Sequence, residues 1–531
     1  MSNFRKKQIK RMKMYKCTLS RESSVEKRRQ LIVNLSKNKS ESNLEKRRRI
    51  MDQTNMNLES GSNKGKLAFP RKTVSSYQQM FDIITEKDPD YKMKMGSILK
   101  KIRYMISSPN YSDLVIDMVT DQKLLISLFK LLEPNKSAIY QLDALLILSN
   151  ILSQYKNKIN ALIEYGLIPF LAYPLQNKTQ ENLIFYTLIC VGLIAGSNEK
   201  NRNKIIDSDL PKFIIKIVEN TKDLRLIRQS SWVFSVLFDQ IPLPSFEKLE
   251  AMVELFFDLI NFEDEEVIID ISKAISKIAF NPQNIGLILD SNILPTIVSH
   301  LSSGINRIIL PSLKIIGNML LGTNEQDNLI INTKLLETLK ELLTSENMLI
   351  RKDTCWIISN ILTQKQHLIL VQDHGIFEIL YEILQNDHLS VKKESLYCFC
   401  NIITLGDPIF VENILATNKI FEIFASFLEH NDTQIILKSL NLFKNIILIS
   451  EHIALIESLS ENTILKKLEE YQIIQKIEKL FEHTNKEISL LSKHALEIIH
   501  YINSENDIIT RNEQTYRLFE YNQEKILKNK N

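Results

Sequence analysis

The sequence predicts an all-α protein built as a solenoid of stacked helical repeats, and three observations support this. The apolar segments are rich in leucine and isoleucine, and the 531 residues include only 12 glycines and 13 prolines. One apolar pattern returns at a nearly constant spacing between about residue 75 and residue 500. A single unit of that length cannot bury its own apolar face, so stacking of neighbouring units must supply the core.

The repeat is anchored by a helix with the pattern apolar-x-x-apolar, then asparagine, then two aliphatic residues. Its asparagine position recurs in steps of 43, 43, 41, 41, 42, 41 and 44 residues. The positions are Asn150, Leu193, Val236, Lys277, Asn318, Asn360, Asn401 and Asn445. A period of roughly 40–47 residues is typical of armadillo and HEAT arrays. Segments such as LIEYGLIPFL, ILDSNILPTIV and VQDHGIFEIL place Gly or Asn where one helix should end before the next begins.

Charge is distributed unevenly along the chain. Residues 1–66 contain 19 Lys/Arg and 6 Asp/Glu, a net charge of +13, whereas the remainder contains 48 and 57, a net charge of −9. The N-terminal segment has no sustained apolar periodicity, so we expect it to be largely disordered alone and to order on a partner. A basic tail of this kind binds either nucleic acid or an acidic protein surface, which includes the surface of its own body. Residues 505–531 are predicted to form a frayed polar tail.

Several classes of protein do not fit the sequence. No apolar stretch reaches the roughly 18 residues that span a bilayer, and the N-terminus lacks the apolar core of a secretory signal. The motifs for phosphate loops, dinucleotide binding and zinc peptidases are absent, and we expect no enzyme activity and no cofactor. The cysteines are Cys17, Cys190, Cys355, Cys398 and Cys400. We expect free, buried thiols in a reducing compartment, with Cys398 and Cys400 pointing to different helix faces.

Trp356 and Asn360 lie four residues apart and therefore on one face of the predicted helix. Packing and capping explain one such pair about as well as binding does, but the recurrence of asparagine in register favours a binding groove. An asparagine ladder can hold the backbone of an extended peptide without reading its sequence. Tryptophan rings beside it suit the aliphatic stem of lysine or arginine and attract the charged head. The pattern predicts a groove for an extended basic peptide.

The chain resembles importin-α, the adaptor for cargo with Lys/Arg-rich nuclear localisation signals, over nearly its full length. In the body, IGNMLLGTNEQ, RKDTCWIISNILT and VKKESLYCFCNI are similar to the fifth, sixth and seventh repeats of that family. Residues 1–66 resemble its importin-β-binding domain through a spaced basic motif, a central arginine pair, a VNLSK segment and a closing basic cluster. The matching basic residues are Arg11, Lys13, Lys16, Arg28, Arg29, Lys37, Lys46, Arg47, Arg48 and Arg49.

The resemblance implies a right-handed armadillo superhelix of about ten repeats over residues 67–504 and a shuttling adaptor found in cytoplasm and nucleus. It implies that the tail binds importin-β and, when free, places Lys46–Arg49 in the groove as an autoinhibitory mock signal. Ran-GTP would then dissolve the import complex, and an export receptor would return the adaptor, which would also meet nuclear pore components. We expect a monomer without membrane or direct nucleic-acid contact.

Members of this family bind cargo at two sites, and the resemblance implies that the first is degraded here. The Trp/Asn pairs expected in repeats two to four read Ile189/Leu193, Trp232/Val236 and Lys273/Lys277, and Ser197 replaces an aspartate. Two lysines in this region would repel a cationic peptide. Residues that survive at this degenerate major site are Asn150, Trp232, Glu266 and Asp270, of which the two acids could instead neutralise the lysines.

The second, minor site is better kept, and we predict that cargo binds mainly there. Its residues are Asn318, Asp353, Trp356, Ser359, Asn360, Glu394, Tyr397, Asn401 and Asn445. Tyr397 replaces a tryptophan but keeps an aromatic face. An armadillo scaffold without import cargo is the main alternative. Nucleic-acid binding through the tail is less favoured, because such arms are usually attached to a body with a basic face.

Overall fold

The chain is described here by a computed structural model that covers residues 74–107, 121–176, 180–240, 242–416, 419–456 and 462–504. Within these ranges all regular structure is helical, which confirms the all-α prediction. Residues 1–66, with the basic positions from Arg11 to Arg49, and residues 505–531 lie outside the described residues, as does Cys17. None of the described helices is both long enough and apolar enough to cross a membrane.

The described helices form two compact units, one ending at Ile278 and one beginning at Ala279. The α-helices of the first unit are α1 (Val74–Ile84), α2 (Tyr91–Ser107), α3 (Gln122–Lys130), α4 (Ala138–Gln154), α5 (Ile159–Glu164), α6 (Leu167–Leu175), α7 (Glu181–Ala195), α8 (Glu199–Ile206), α9 (Leu210–Asn220), α10 (Leu224–Asp239), α11 (Phe246–Leu259) and α12 (Glu265–Ile278).

The second unit continues the same order of two short helices followed by a longer third one. Its α-helices are α13 (Ile285–Asp290), α14 (Leu294–Leu301), α15 (Asn306–Met319), α16 (Asn324–Ile330), α17 (Thr333–Leu343), α18 (Met348–Ile361), α19 (Lys365–Asp373), α20 (Ile376–Asn386), α21 (Leu389–Leu405), α22 (Pro408–Leu415), α23 (Lys419–Leu428), α24 (Thr433–Ile456), α25 (Thr463–Glu470), α26 (Ile473–Phe481) and α27 (Lys486–Ser504).

We call the third helix of a repeat its anchor helix. The eight positions identified by the sequence period lie in α4, α7, α10 and α12 of the first unit and in α15, α18, α21 and α24 of the second. Seven of the positions fall within the last five residues of their helix, and Asn445 lies near the middle of the longer α24. The predicted repeat register is therefore confirmed, because each position lies in the equivalent helix of its repeat.

The breaks between the first and second helix of a repeat follow the predicted chemistry. Gly166, Asn292 and Gly375 have φ angles of 90°, 56° and 66°. This left-handed conformation ends a helix without a steric penalty for glycine and with only a small one for asparagine. In the last described repeat Gln472 takes the same role at φ 54°. In the first three of these repeats the turn between the two short helices therefore lies at the Gly or Asn that the sequence predicts.

The repeat between α10 and α11 departs from the pattern, because no short first helix lies between these two helices. The connecting segment is held instead by Arg202 of α8, whose side chain is buried. The guanidinium donates to the carbonyl of Gln240 and, at 2.8 Å, to the carbonyl of Pro242. Burial lowers the pKa of this guanidinium. An arginine with several fixed donors can satisfy two such carbonyls at once.

Both tryptophans of the chain pack on a glycine of the preceding anchor helix. A Cβ atom added to Gly317 of α15 would lie 2.0 Å from Cζ3 of Trp356, and one added to Gly192 of α7 would lie 2.2 Å from Cζ3 of Trp232. Only a residue without a side chain lets the ring lie so close to the helix. The two rings are consequently 7% and 4% exposed and form part of the stacking core.

We predict that Gly317→Ala destabilises the protein by about 1–3 kcal/mol, because the new methyl group must push the Trp356 ring out of a packed site. The free energy of unfolding measured in urea by far-UV circular dichroism checks this. Gly286→Ala is the matched control, since a Cβ there meets only Gln326 Nε2 at 3.9 Å. Equal stability of the two variants would contradict the packing of Trp356 on Gly317.

Candidate peptide-binding face

The predicted Trp/Asn stripe lies on α18, where ten of the fourteen residues are buried. Asn347 caps the start of this helix by accepting a hydrogen bond from the Leu349 amide at 2.9 Å. Trp356 and Asn360 follow one helical turn apart, and both side chains lean toward the preceding anchor helix, α15. Both residues are therefore part of the seam between successive repeats.

Two asparagines of the second unit, Asn360 and Asn401, satisfy backbone carbonyls at the ends of the preceding anchor helices. Near the end of α15 the Leu321 amide bonds to the Asn318 carbonyl rather than continuing the α-helical pattern to Gly317. Tightening of this kind leaves a carbonyl without its usual donor. Asn360 Nδ2 supplies one, at 3.1 Å from the Gly317 oxygen.

The same arrangement is found one repeat later. The Thr363 amide bonds to the Asn360 carbonyl, and Asn401 Nδ2 donates to the neighbouring Ser359 carbonyl at 2.7 Å. In the following repeat a hydroxyl group lies between the two partners. Asn445 Nδ2 donates to Thr404 Oγ1 at 2.7 Å, and that hydroxyl donates to the Cys400 carbonyl at 2.6 Å. Asn360, Asn401 and Asn445 therefore each join their repeat to the one before it.

The accessible part of this ladder lies toward its C-terminal end. Asn360 is 2% exposed and Asn318 is 6% exposed, whereas Asn401 and Asn445 are half-buried. Ser359, predicted to line the site, is fully buried, and its hydroxyl donates to the Trp356 carbonyl at 2.8 Å. Ser359 contributes to the site through its own carbonyl rather than through its side chain, because its position on α18 points into the core.

The two aromatic residues of this site, Trp356 and Tyr397, each have a lysine of the protein over the ring. Lys314 Nζ of α15 lies 4.8 Å from the centroid of the Trp356 ring and 2.6 Å from Asp353 Oδ1. Lys438 Nζ of α24 lies 5.0 Å from the centroid of the Tyr397 ring.

We define the ladder face as the surface formed by the aromatic residues, asparagines and acids of this site. Its members are Asn318, Asp353, Trp356, Asn360, Glu394, Tyr397, Asn401 and Asn445.

The first unit holds its surviving site residues in different surroundings. Asn150 is buried, and Trp232 packs on Gly192 as described. The Gly192 carbonyl keeps its α-helical donor, the Gly196 amide at 2.9 Å. The facing ladder position is Val236, whose side chain has no amide group to donate a hydrogen bond. Loss of the asparagine in this repeat is thus matched by a helix end that does not need it.

The lysines at the degenerate site are neutralised, as the sequence allowed, but one of them has a partner that sequence reasoning missed. Lys273 pairs with Asp270 at 2.8 Å. Lys277 pairs with Asp239 of the preceding anchor helix at 3.2 Å. Glu266 is half-buried near the start of α12, where its charge helps to raise the pKa of Arg228 after a larger effect from Asp264.

Ion pairs also join the anchor helices at their N-terminal ends. Arg351 of α18 donates from Nε and Nη2 to the two carboxylate oxygens of Asp387, at 2.6 and 2.7 Å. Burial alone would raise the pKa of the Asp387 carboxyl, but these hydrogen bonds outweigh it, so the pKa lies below its ordinary value. A bidentate pair of this kind is among the stronger charged contacts in proteins.

The thiol prediction is confirmed for the four cysteines that the structure describes, all of which are free and buried. Cys398 Sγ points to the Cys355 carbonyl of α18, and Cys400 Sγ points to the Lys438 carbonyl of α24. The two thiols therefore face opposite neighbouring helices. Burial raises the pKa of the Cys190 thiol, so the reactive thiolate is disfavoured there. Among the described residues no cluster of His, Cys, Asp and Glu is suited to hold a metal ion.

Comparison with known proteins gives matches in sequence and in fold. No protein-family model matches the chain. It is 24% identical to importin subunit alpha-3 of Arabidopsis thaliana over 349 residues, 65% of this chain and 64% of the relative. It is 26% identical to importin subunit alpha-1b of Oryza sativa subsp. japonica over 219 residues, 41% of each chain. These matches span less than two thirds of each relative's own length.

Engineered proteins are among the solved structures that resemble the chain. One engineered protein, known from a crystal structure, covers 80% of this chain and 98% of its own with a TM-score of 0.66 at 19% identity. A designed armadillo repeat protein in complex with the peptide (KR)4 covers 46% of this chain and 98% of its own, at 21% identity and a TM-score of 0.41. Identity this low shows the fold alone, and only the first match is close enough to be informative.

We predict that Asn360→Ala lowers the free energy of unfolding by about 1–2 kcal/mol, because it leaves the buried Gly317 carbonyl without its donor. Asn441→Ala is the matched control, since the Asn441 amide bonds only to the Leu437 carbonyl of its own helix. Urea unfolding of both variants measures the difference. A loss of stability at Asn441 as large as that at Asn360 would contradict the capping role.

Proposed function

We propose that this chain, a divergent importin-α-like protein with an armadillo-repeat fold, is a nuclear import adaptor. It binds Lys/Arg-rich nuclear localisation signals on the ladder face of its second unit and links them to importin-β through residues 1–66. The observation that carries the proposal is the register of Asn318, Asn360, Asn401 and Asn445 with two aromatic residues within a single unit. The protein is a binding protein rather than an enzyme in this account.

The asparagines that are half-buried would hold the peptide backbone. A side-chain amide has two N–H donors and an oxygen with two acceptor sites. At Asn401 and Asn445 one hydrogen bond joins the preceding repeat, so further donor and acceptor capacity is left for an extended chain. Contacts to the peptide backbone would give affinity without selecting its sequence, while alternate side chains would be read by neighbouring residues.

The selection of cationic side chains would come from the aromatic faces and the acids near them. Trp356 and Tyr397 lie on successive anchor helices, and each has an acid three residues before it, Asp353 and Glu394. A cation over an aromatic ring is attracted by the ring quadrupole, and a neighbouring carboxylate adds charge attraction. This is the combination that a Lys/Arg-rich segment requires.

The first unit is a poorer candidate for this role. Leu193 and Val236 replace two ladder asparagines, and Lys277 replaces a third. Asp270 and Asp239, the carboxylates beside this region, are already paired with lysines of the protein. We therefore propose that Asn150, Trp232, Glu266 and Asp270 contribute little to cargo binding.

The N-terminal segment would supply the link to importin-β. Its net charge of +13 against −9 for the rest of the chain supports an electrostatic partner with an acidic surface. When importin-β is absent, Lys46–Arg49 would occupy the ladder face, since a tethered segment competes at high effective concentration. The full cycle would include release by Ran-GTP, return by an export receptor, nuclear pore contacts, and shuttling of a monomer between cytoplasm and nucleus.

A second function, an armadillo scaffold without import cargo, is favoured by one observation. The rings that should receive cargo lysines already carry Lys314 and Lys438. If those lysines never leave, the ladder face serves only to stabilise the stack, and the partner binds elsewhere. Peptide binding to the ladder face separates the two functions.

We predict that Glu394→Gln weakens binding of a Lys/Arg-rich peptide by about three- to tenfold, because it removes one partly buried charge pair without changing the shape of the side chain. Fluorescence anisotropy with a labelled octapeptide of alternating lysine and arginine measures this. Glu266→Gln is the matched control at the degenerate site and should leave the affinity unchanged. A larger loss at Glu266 than at Glu394 would place cargo on the first unit instead.

A further inference from the structure

Lys314 occupies a tryptophan position of the repeat. It lies four residues before Asn318 on α15, just as Trp356 lies four residues before Asn360 on α18. The spacing that identifies Trp356 therefore identifies Lys314 as its equivalent in the preceding repeat. A lysine at this position points along the ladder toward the next ring rather than forming a ring face of its own.

The Lys314 side chain makes both contacts that the proposed function assigns to a cargo lysine at this slot. Its Nζ lies 4.8 Å from the Trp356 ring centroid, and it pairs with Asp353 Oδ1 at 2.6 Å. With Gly317 beneath the ring and Lys314 over it, Trp356 is 7% exposed. A second cation cannot reach this face while Lys314 stays in place.

A lysine also lies over the other ring of this site, but it comes from the following repeat rather than the preceding one. Lys438 of α24 lies over the Tyr397 ring and stands seven residues before Asn445, so it is not at a tryptophan position. The four ladder-bearing anchor helices of this unit contain eight Lys/Arg and three Asp/Glu, whereas those of the first unit contain four and six. The protein's own positive charge is therefore concentrated where the proposed function places a cationic peptide.

The contact of Lys314 is one that another cation can displace. Its side chain is 37% exposed, and the ammonium group is a point charge on a flexible stem. The contrast is Arg351, whose guanidinium makes two parallel bonds to Asp387 and two more to backbone carbonyls. An ion pair whose cation is partly exposed contributes little to stability and exchanges readily.

We propose that Lys314 is a resident competitor that sets the specificity of the ladder face. A cationic side chain of the cargo enters the slot of Trp356 and Asp353 only by displacing Lys314. One cation then replaces another at the same contacts, so the exchange adds little to the binding free energy. The second unit then binds runs of basic residues weakly and favours peptides with a neutral residue opposite Lys314. This inference rests on the proposed function, since it concerns the same face.

The test compares variants of the full-length chain for binding of the labelled octapeptide of alternating lysine and arginine, measured by fluorescence anisotropy. Lys314→Met removes the competitor and keeps the aliphatic stem. We expect it to bind about three- to tenfold more tightly. This is the change in affinity that corresponds to the free energy of one exposed ion pair and one cation–π contact. Lys314→Arg keeps a cation over the ring and should show no such gain.

Lys334→Met is the matched control, because this lysine is exposed on α17 and its loss changes the net charge equally. Lys314→Gln repeats the experiment if the methionine variant does not fold, with thermal unfolding followed by circular dichroism as the check. All variants are also measured with Lys46–Arg49 changed to alanine, so that competition from the tail is separated from competition by Lys314.

Each outcome decides the inference. Tighter binding by Lys314→Met alone supports it. Unchanged or weaker binding by Lys314→Met, with a wild-type chain that binds the peptide, overturns it and leaves the proposed function intact. An equal gain for Lys334→Met also overturns it, since general electrostatics would then account for the effect. Absence of binding by every variant overturns both this inference and the proposed function.

Discussion

The stack of repeats in the second unit depends on the carbonyls left without α-helical donors at the ends of its anchor helices. Each of these helices is buried on most sides, so an unsatisfied backbone group there would be costly. The next repeat supplies the missing donor from Asn360 and from Asn401, while Asn445 joins the preceding repeat through the Thr404 hydroxyl. Asparagine therefore recurs at this place in the repeats of the second unit, whereas Leu193, Val236 and Lys277 take it in the first.

The same residues would serve stability and binding, and the two uses conflict. Trp356 is both a packed ring and a proposed binding surface, and Asp353 is both the partner of Lys314 and a proposed partner of cargo. The first unit illustrates the alternative. Where Val236 replaces the asparagine, the Gly192 carbonyl keeps its own helical donor. The apolar contact between the two repeats there is made by Trp232, which packs on Gly192. A repeat of that kind is stable without the ladder but has no amide to offer a peptide.

Much of the fold could be predicted from the sequence, because its determinants are local or periodic. Helix type, the register of eight ladder positions, and the turns at Gly166, Asn292 and Gly375 all follow from spacing and backbone preference. Contacts between side chains about 40 residues apart could not be predicted this way, since no local pattern contains them. Lys314 over Trp356, Lys277 with Asp239, and the Arg202 clamp are of this kind, although the position of Lys314 in the repeat was a usable signal.

The central claim is that one chain connects a basic cargo signal to importin-β, and a bridging experiment tests it most directly. Importin-β is immobilised, and a reporter protein carrying a Lys/Arg-rich signal is added with or without the full-length chain. The account predicts that the reporter is retained only when the chain is present, and that a chain lacking residues 1–66 does not retain it. Retention of the chain without the reporter, or failure of the chain itself to bind importin-β, would contradict the adaptor function and favour a scaffold.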